Sequence, residues 1–395
     1  MKKRMFLMLI LALFAVICCA CLAQDQPAEV SPSTAPAPPQ AVLTPAPAPT
    51  PSPTPAPDRI QMKIDSMSDK ELIGQLVMCG FSGTEAPSDD IAMLIGDYHL
   101  GNIILFGQNT SKSFDKTAAL VAQVNELNKS DIPLSFSIDV EGGNVLRFSW
   151  DPHIKSALSL GQRGNPAYTY SQYKRIGTKL MDIGIHVDLA PVLDVAPDPE
   201  NTFLASRMFG SDADEVSRQA RSAVRGLKAG GCISVGKHFP GHGNTATDSH
   251  HQVPVITATK AEWEAYEKKP FSQAIAYGMD GILVGHISYP NIDPDNLASV
   301  SSIFITDILR GEMGFEGMVM SDDMRMQAIA GTIGIGEGAV RFIEAGGDIV
   351  LIGKGTERQL SVFNALYQAL DSGRITRARL EESVYRVLVM KGFTA

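Results

Sequence analysis

The chain has 395 residues, 44% of them hydrophobic, and a formal net charge of −9 at pH 7. This acidic balance argues against a nucleic-acid-binding protein, because that function calls for a basic face. It also argues against electrostatic attachment to an anionic membrane surface or wall polymer. Nucleic acid is therefore not expected as a partner.

Residues 1–23 predict a secretory signal peptide. The basic start Met1–Arg4 precedes an apolar run, Met5–Ala20, that is short for a stable membrane span. Cleavage after Ala23 fits the small-x-small rule, whereas Ala20-Cys21 resembles the end of a lipobox, in which Cys21 would carry a lipid. The sequence leaves three outcomes open: free secretion, a membrane tether through Cys21, and a retained N-terminal anchor. We expect an extracellular or cell-surface protein.

Residues 24–57 predict a disordered linker. Ala, Pro, Ser and Thr dominate this segment, and it holds half of the 24 prolines of the chain. Such a composition cannot bury a core, and its prolines favour an extended stalk. From residue 58 to residue 395 the composition is globular and is predicted to form one catalytic domain.

Eight short apolar runs alternate with helical patterns in this globular part. The runs are Leu76–Phe81, Ile103–Phe106, Leu134–Ile138, Val187–Val195, Ile233–Val235, Ile282–Val284, Met318–Met320 and Ile349–Ile352. Strands that alternate with helices indicate parallel βα units. Eight units in this length predict an α/β fold, a single (β/α)8 TIM-type barrel. Cys79 and Cys232 fall in or beside two runs, where each is expected to be a small buried residue, although one disulfide between them stays open.

Polar residues follow five of the predicted strands. They are Asp139 and Glu141, then Asp194, then Lys237, His238 and His242, then His286, and finally Asp322 and Asp323. Because catalytic groups of a TIM barrel gather at the carboxyl ends of its strands, we expect one site at this rim. His238 and His242 are four residues apart but not on a helix, and Lys237 would repel a cation, so no metal or cofactor is predicted.

Two segments resemble glycoside hydrolase family 3. Residues 308–322, ILRGEMGFEGMVMSD, resemble its active-site signature, which implies that Asp322 is the nucleophile. Residues 237–250, KHFPGHGNTATDSH, are similar to the NagZ-type β-N-acetylglucosaminidases of the family, which implies an acid/base dyad of His250 and Asp248. The resemblance extends over residues 58–393. It implies a retaining exo-β-N-acetylglucosaminidase, a β-N-acetylhexosaminidase that releases terminal β-linked N-acetylglucosamine.

The residue types suit this chemistry. A retaining glycosidase needs a carboxylate that attacks the anomeric carbon, and strand alternation would turn Asp323 away from Asp322. A histidine replaces the usual second carboxylic acid, and it can both give and take a proton near neutral pH. The Gly- and Thr-rich loop is expected to be mobile and to bring His250 in with the substrate. An Asx turn on a solvated loop is the alternative for Asp248, and Glu141 is the next candidate for the acid/base.

The resemblance also implies the sugar contacts. Residues 139–147, DVEGGNVLR, are similar to the family pattern Asp-Gln-Glu-Gly-Gly-Arg-Val-x-Arg, from which Val140 and Asn144 depart. The implied contacts are Asp139, Arg147, Arg207, Lys237 and His238. The alternative for each Arg is an ion pair buried in the barrel rim.

The expected substrate is a carbohydrate, namely N-acetylglucosamine-containing cell-wall (peptidoglycan) fragments, and the expected protein is a monomer. Three other functions stay open. The first is a family 3 β-glucosidase or β-xylosidase, although those enzymes usually carry their acid/base Glu on a second domain. The second is a catalytically silent wall-binding module. The third is phosphorolysis, since a histidine tolerates an incoming phosphate better than a carboxylate does.

Overall fold

The computed structural model describes residues 58–394 apart from 111, 149–150, 152 and 198–203. The predicted signal peptide, with Cys21, and the predicted linker lie outside the described residues. The strands in chain order are Val77–Gly80 (β1), Asn102–Leu105 (β2), Ser135–Ile138 (β3), Val140–Gly142 (β4), Val145–Leu146 (β5), Val187–Asp188 (β6), Ile233–Phe239 (β7), Gly281–Val284 (β8), Met318–Ser321 (β9) and Val350–Ile352 (β10).

Eight of these strands form one parallel sheet in the order β10-β1-β2-β3-β6-β7-β8-β9, and β4 and β5 form a separate antiparallel hairpin. A parallel bridge between Met320 and Ile349 brings the two ends of the sheet together. The N–H of Ser321 donates to the carbonyl of Ile349 at 2.9 Å across the same junction. The sheet is therefore closed into a barrel, and the predicted TIM-type fold is confirmed.

Helices follow the strands and cover the barrel. They are Arg59–Asp65, Asp69–Gln75, Asp89–Tyr98, Gly107–Thr110, Phe114–Leu127, Ala157–Arg163, Pro166–Asp182, Ala213–Ala229, Lys260–Ala265, Lys268–Ala276, Ile303–Glu312, Gln327–Ala330, Ile335–Glu344, Thr356–Asp371 and Arg377–Met390, with short turns at Ala205–Arg207 and Ala298–Val300. The helical segment between β7 and β8 is divided in two at residues 266–267. Among the described residues, no helix combines the length and apolar composition needed to cross a membrane.

A buried aromatic cluster fixes the end of β7, next to the loop that follows it. The Phe239 ring meets the rings of Trp263 and Phe304 edge to face, with centroids 6.2 and 6.4 Å apart. The indole N–H of Trp263 also donates to the carbonyl of Pro240 at 2.8 Å. Edge-to-face pairs favour one relative orientation of the rings. The strand end therefore has a fixed position, and the loop leaves the barrel from a rigid base.

Two strands differ from their predicted bounds by more than one residue at an end. The run Val187–Val195 is regular only over β6, because Pro191 has no N–H to donate to the neighbouring strand. By contrast, β7 continues past Val235 to Phe239. Lys237 and His238 therefore lie within a strand instead of in the loop, and the barrel itself fixes their side chains.

Cys79 and Cys232 are both buried free thiols. Burial raises the pKa of each thiol well above its ordinary value. The expectation of small buried residues is confirmed, and the disulfide that the sequence left open is not formed.

Candidate active site

A pocket of about 440 Å³ opens at the carboxyl ends of the barrel strands. The predicted site residues that line it are Asp139, Arg147, Arg207, Lys237, His238, His250 and Asp322. Asp248 is not part of the lining but is bonded to His250. The barrel thus brings together residues that come from five different loops and strand ends.

Lys237 is the centre of a buried ion cluster on the floor of this pocket. Its ammonium lies 2.6 Å from Asp139 Oδ1 and 2.7 Å from Glu141 Oε1. Burial alone would raise the pKa of Asp139, but the charges of Lys237 and Arg147 outweigh it and lower that pKa to about 2. Asp139 is therefore an ionised hydrogen-bond acceptor across the working pH range of an enzyme.

The carboxylate of Glu141 forms ion pairs with both of its cationic neighbours, Lys237 and Arg207. Its side chain is 2% exposed and accepts from Arg207 Nε at 2.7 Å and from Arg207 Nη2 at 2.8 Å. Burial acts to raise the pKa of Glu141, but Lys237 and Arg207 lower it overall. A carboxylate held ionised in this way is a poor proton donor, which argues against Glu141 as the acid/base. The sequence left two roles open for Arg207, a sugar contact and an ion pair in the barrel rim. Its position fits each of them, since it is paired with Glu141 and also lines the pocket.

His238 is oriented by Asp194, a fully buried carboxylate six residues after β6. Burial raises the pKa of Asp194, but the charge and hydrogen bond of His238 lower it overall. An ionised carboxylate can only accept, so the His238 Nδ1 at 2.6 Å from it carries a proton. His238 Nε2 lies 3.3 Å from Arg207 Nη2, beside the other predicted sugar contacts. The sequence placed Asp194 at the rim without giving it this role.

Asp322 follows β9 directly. Its N–H donates to the carbonyl of Val284 at 3.0 Å, and its Oδ1 accepts from the N–H of Asp323 at 2.8 Å. Burial raises the pKa of Asp322, but the charges of His238 and His286, with the bond from Asp323, lower it overall. The carboxylate is therefore ionised and its backbone is anchored in the barrel, as an attacking group requires.

Asp323 is also among the residues that line the pocket. Its carboxylate is held by Arg325, whose Nη2 lies 2.5 Å and whose Nε lies 3.0 Å from Asp323 Oδ2, as a structural carboxylate would be. The N–H of Gly353 donates to its Oδ1 at 3.1 Å. The two neighbouring carboxylates thus differ in their partners: one is ion-paired and one is not.

Asp248 and His250 form the predicted pair. The Nδ1 of His250 lies 2.8 Å from Asp248 Oδ1, and the side chain of His250 is 64% exposed. The N–H of His250 also donates to the same oxygen at 2.9 Å, which is an Asx turn. The predicted pair and the alternative of an Asx turn therefore occur together, because the turn holds the Asp248 carboxylate against the His250 ring. Burial raises the pKa of Asp248, but its two bonds to His250 lower it overall.

One cation at the pocket edge escaped the sequence analysis. Arg358 lines the pocket from the first turn of the helix Thr356–Asp371, and it is exposed. Within the described part of the chain, no hydrogen bond or ion pair engages its guanidinium. Lys354 and Arg358 follow the eighth predicted strand, and these charged residues are the signal in the sequence that points to this part of the rim.

Residues 68–390 match the family model described as the glycosyl hydrolase family 3 N terminal domain. The chain belongs to glycoside hydrolase family 3. Beta-hexosaminidase LpqI of Mycobacterium tuberculosis is 31% identical to this family 3 chain over 334 residues, which are 82% of this chain and 83% of LpqI. A beta-hexosaminidase of Nitrosomonas eutropha is 31% identical over 319 residues, 78% of this chain and 90% of that protein.

Solved structures of family 3 proteins share the barrel. A family 3 beta-N-acetylglucosaminidase from Paenibacillus superposes with a TM-score of 0.80 at 39% identity, over 83% of this chain and 62% of that chain. This chain therefore spans less than two thirds of the Paenibacillus protein. A beta-N-acetylhexosaminidase from Beutenbergia cavernae superposes with a TM-score of 0.77 at 29% identity, over 83% of this chain and 99% of that chain.

Glu141→Gln tests the ion cluster. The variant leaves Lys237 and Arg207 without their shared carboxylate, and we expect the free energy of unfolding to fall by about 3 kcal/mol. The KM for a β-N-acetylglucosaminide should rise about tenfold or more, because Arg207 loses its carboxylate partner and Lys237 keeps only Asp139. Denaturant unfolding and steady-state kinetics measure the two effects. Glu337→Gln, which loses a surface pair with Arg374, is the matched control. Rescue of Glu141→Gln by azide would instead identify Glu141 as the acid/base.

Proposed function

We propose that this family 3 chain is a retaining exo-β-N-acetylglucosaminidase. The observation that carries the proposal is the meeting, in one pocket, of an ionised Asp322 with the loop that holds the His250–Asp248 pair. The identity of the sugar is inferred from the names of the relatives, which are a beta-hexosaminidase and a beta-N-acetylglucosaminidase.

In the first step, Asp322 attacks the anomeric carbon while His250 gives its proton to the glycosidic oxygen. The carboxylate–carbon bond forms as the carbon–oxygen bond to the leaving group breaks. In the second step, His250 takes a proton from a water molecule, and that water displaces Asp322 from the sugar. Two displacements at one carbon restore the original configuration. The chain's own residues supply the nucleophile and the acid/base, so the proposal involves no metal or cofactor.

Asp248 orients and charges the imidazole in this scheme. An ionised Asp248 accepts from Nδ1–H, which leaves Nε2 as the nitrogen that exchanges a proton with the substrate. The same carboxylate stabilises the imidazolium before the proton is given up. Asp248 thus acts only through His250.

The ion cluster would hold the terminal sugar. Asp139, His238 and Arg207 present an ionised acceptor, a ring nitrogen and a guanidinium to the same pocket. Carboxylates suit sugar hydroxyl pairs, and a guanidinium suits an N-acetyl carbonyl. Arg147, 3.6 Å from Asp139 and partly exposed, is free enough to reach that carbonyl.

We further propose that the leaving group carries a carboxylate, as the muramic acid of cell-wall fragments does. The support is Arg358, an exposed guanidinium at the pocket edge that no described group neutralises. The acidic chain repels anionic polymers in general, so a guanidinium that no described group neutralises favours a small anion in one position beside the site. Activity outside the membrane would follow from the predicted leader.

The first prediction of the proposed function concerns Asp322. The wild-type chain should hydrolyse a nitrophenyl β-N-acetylglucosaminide and leave the matching glucoside intact, and Asp322→Ala should abolish turnover while the protein still folds. A slow fluorinated sugar should label Asp322, as mass spectrometry of the digested protein would detect. Asp323→Asn should keep measurable turnover, because Asp323 is already ion-paired. A label on Asp323 would defeat the assignment, and sugar phosphate formed in phosphate buffer would indicate phosphorolysis.

The second prediction concerns the dyad. His250→Ala should slow cleavage of a disaccharide by about 100-fold or more, since general acid–base catalysis contributes that much. A nitrophenyl glycoside should suffer less at this step, because its leaving group departs without a proton. Azide should restore the second step, and Asp248→Asn should have a smaller effect than His250→Ala. Equal losses on both substrates without azide rescue would remove His250 from the mechanism.

The third prediction concerns Arg358. Arg358→Gln should raise the KM about tenfold for a disaccharide with a carboxylate on its leaving sugar, since one exposed charge-assisted hydrogen bond is lost. The KM for a neutral N-acetylglucosamine disaccharide should not change. Arg225→Gln removes an exposed arginine on the outer helix Ala213–Ala229 and serves as the control. Equal changes on both disaccharides would show that Arg358 does not select the anion.

A further inference from the structure

The loop that carries the dyad is attached to the barrel by the residue between its two members. Ser249 is 3% exposed, whereas His250 beside it lies largely in solvent. The hydroxyl of Ser249 lies 3.1 Å from Nε2 of His242, and its carbonyl accepts from the N–H of Ala328 at 3.4 Å. The loop therefore has a buried anchor where its chemistry is located.

His242 is itself rigidly held. It is 1% exposed, and its N–H donates to Asp194 at 2.7 Å. Asp194 also holds the ring of His238, so one buried carboxylate supports both a proposed sugar contact and the partner of Ser249. Burial, with the charge of His238, lowers the pKa of His242 to about 4, so its ring is neutral near pH 7. A neutral ring and a hydroxyl can share a hydrogen bond without burying a charge.

The dyad cannot provide this attachment by itself. Asp248 and His250 lie on the same loop, so their bond fixes the ring within the loop but not the loop over the barrel. At the start of the loop Asn244 meets Glu267, which is several residues from the imidazole. The contact between Ser249 and His242, by contrast, is made by the residue next to His250. A proton donor must lie within hydrogen-bond reach of the oxygen that it protonates, so the position of the loop decides whether His250 can act.

We propose that Ser249 and His242 are positioning residues, which form a latch that holds the acid/base loop over the pocket of Asp322. The proposal rests on the acid/base role of His250 in the proposed function. The sequence predicts a mobile loop that closes with the substrate. The latch gives the closed position a defined partner in His242, which lies three residues after β7 at the base of the same loop and is fixed by its bond to the buried Asp194, and His250 already lines the pocket in this structure.

The test is a double-mutant cycle in the full chain. Ser249→Ala should lower kcat on a disaccharide by about tenfold to 100-fold, because a misplaced proton donor loses that much. Its effect on the glycosylation step of a nitrophenyl glycoside should be small, and the KM should stay near the wild-type value. In the His250→Ala background, Ser249→Ala should add no further loss, since a residue that acts only through His250 has nothing left to position.

Three variants support the cycle. Thr247→Ala removes a hydroxyl from the same loop that makes no described bond to the barrel, and should match the wild type. Ser249→Cys keeps a weak donor in place and should show an intermediate loss. His242→Gln should reproduce the leaving-group dependence of Ser249→Ala. Thermal unfolding of each variant confirms that it is folded.

The outcomes separate the two proposals. If the wild type does not hydrolyse N-acetylglucosaminides, or His250→Ala has no effect, the proposed function falls. If His250→Ala behaves as predicted but Ser249→Ala slows both substrates equally, the latch is wrong while the function stands. Additive losses in the double variant would also overturn the latch.

Discussion

The site depends on one buried ammonium. Lys237 lies within a barrel strand, surrounded by Asp139 and Glu141, and Glu141 in turn holds Arg207. Taking a charge out of water costs several kcal/mol, which only well-placed partners offset. Each member of the cluster is therefore stable only while the others keep their places. This mutual dependence turns the pocket floor into a set of charges with fixed positions.

The two proposed catalytic groups are held in contrasting ways. Asp322 extends from a barrel strand, and its backbone is bonded to the neighbouring strand. A nucleophile gains from such rigidity, because attack requires alignment within a fraction of an ångström. His250 lies on an exposed loop that is fixed at one buried residue, Ser249. An acid/base residue must protonate a leaving group and then deprotonate a water molecule. The proposed latch would hold His250 in one position from which it reaches both.

Much of this arrangement could be predicted from the sequence. The eight apolar runs specify the barrel, because buried parallel strands are apolar on both faces and each forms from local residues. The segments around Asp322 and His250 carry a long pattern, so their meeting in one pocket was expected. The apolar run that begins at Ile233 predicts a strand only as far as Val235. Lys237 and His238 resemble loop residues in the sequence until their buried partners are known, so the second half of the strand could not be predicted.

Contacts between distant segments could not be predicted. Asp194 binds His238 and His242 across more than forty residues of sequence, and no periodicity reports which carboxylate a histidine meets. The same holds for Glu141 and Arg207, which are 66 residues apart. These partners are set by tertiary packing, which a linear pattern does not encode.

A histidine in place of a second carboxylic acid also changes the electrostatics of the pocket. Two carboxyl groups in one site repel when both are ionised, which forces one of them to hold a proton. In the proposed mechanism the proton donor is a cation, and the charges of His238 and His286, with that of His250, lower the pKa of Asp322 against the effect of burial. In the first step both charges disappear together, as the imidazolium loses its proton and the carboxylate becomes an ester. In the second step both return together. The attraction between Asp322 and His250 therefore favours the charged resting state at the start of each cycle, and the Asp248 carboxylate keeps the ring able to recover its proton.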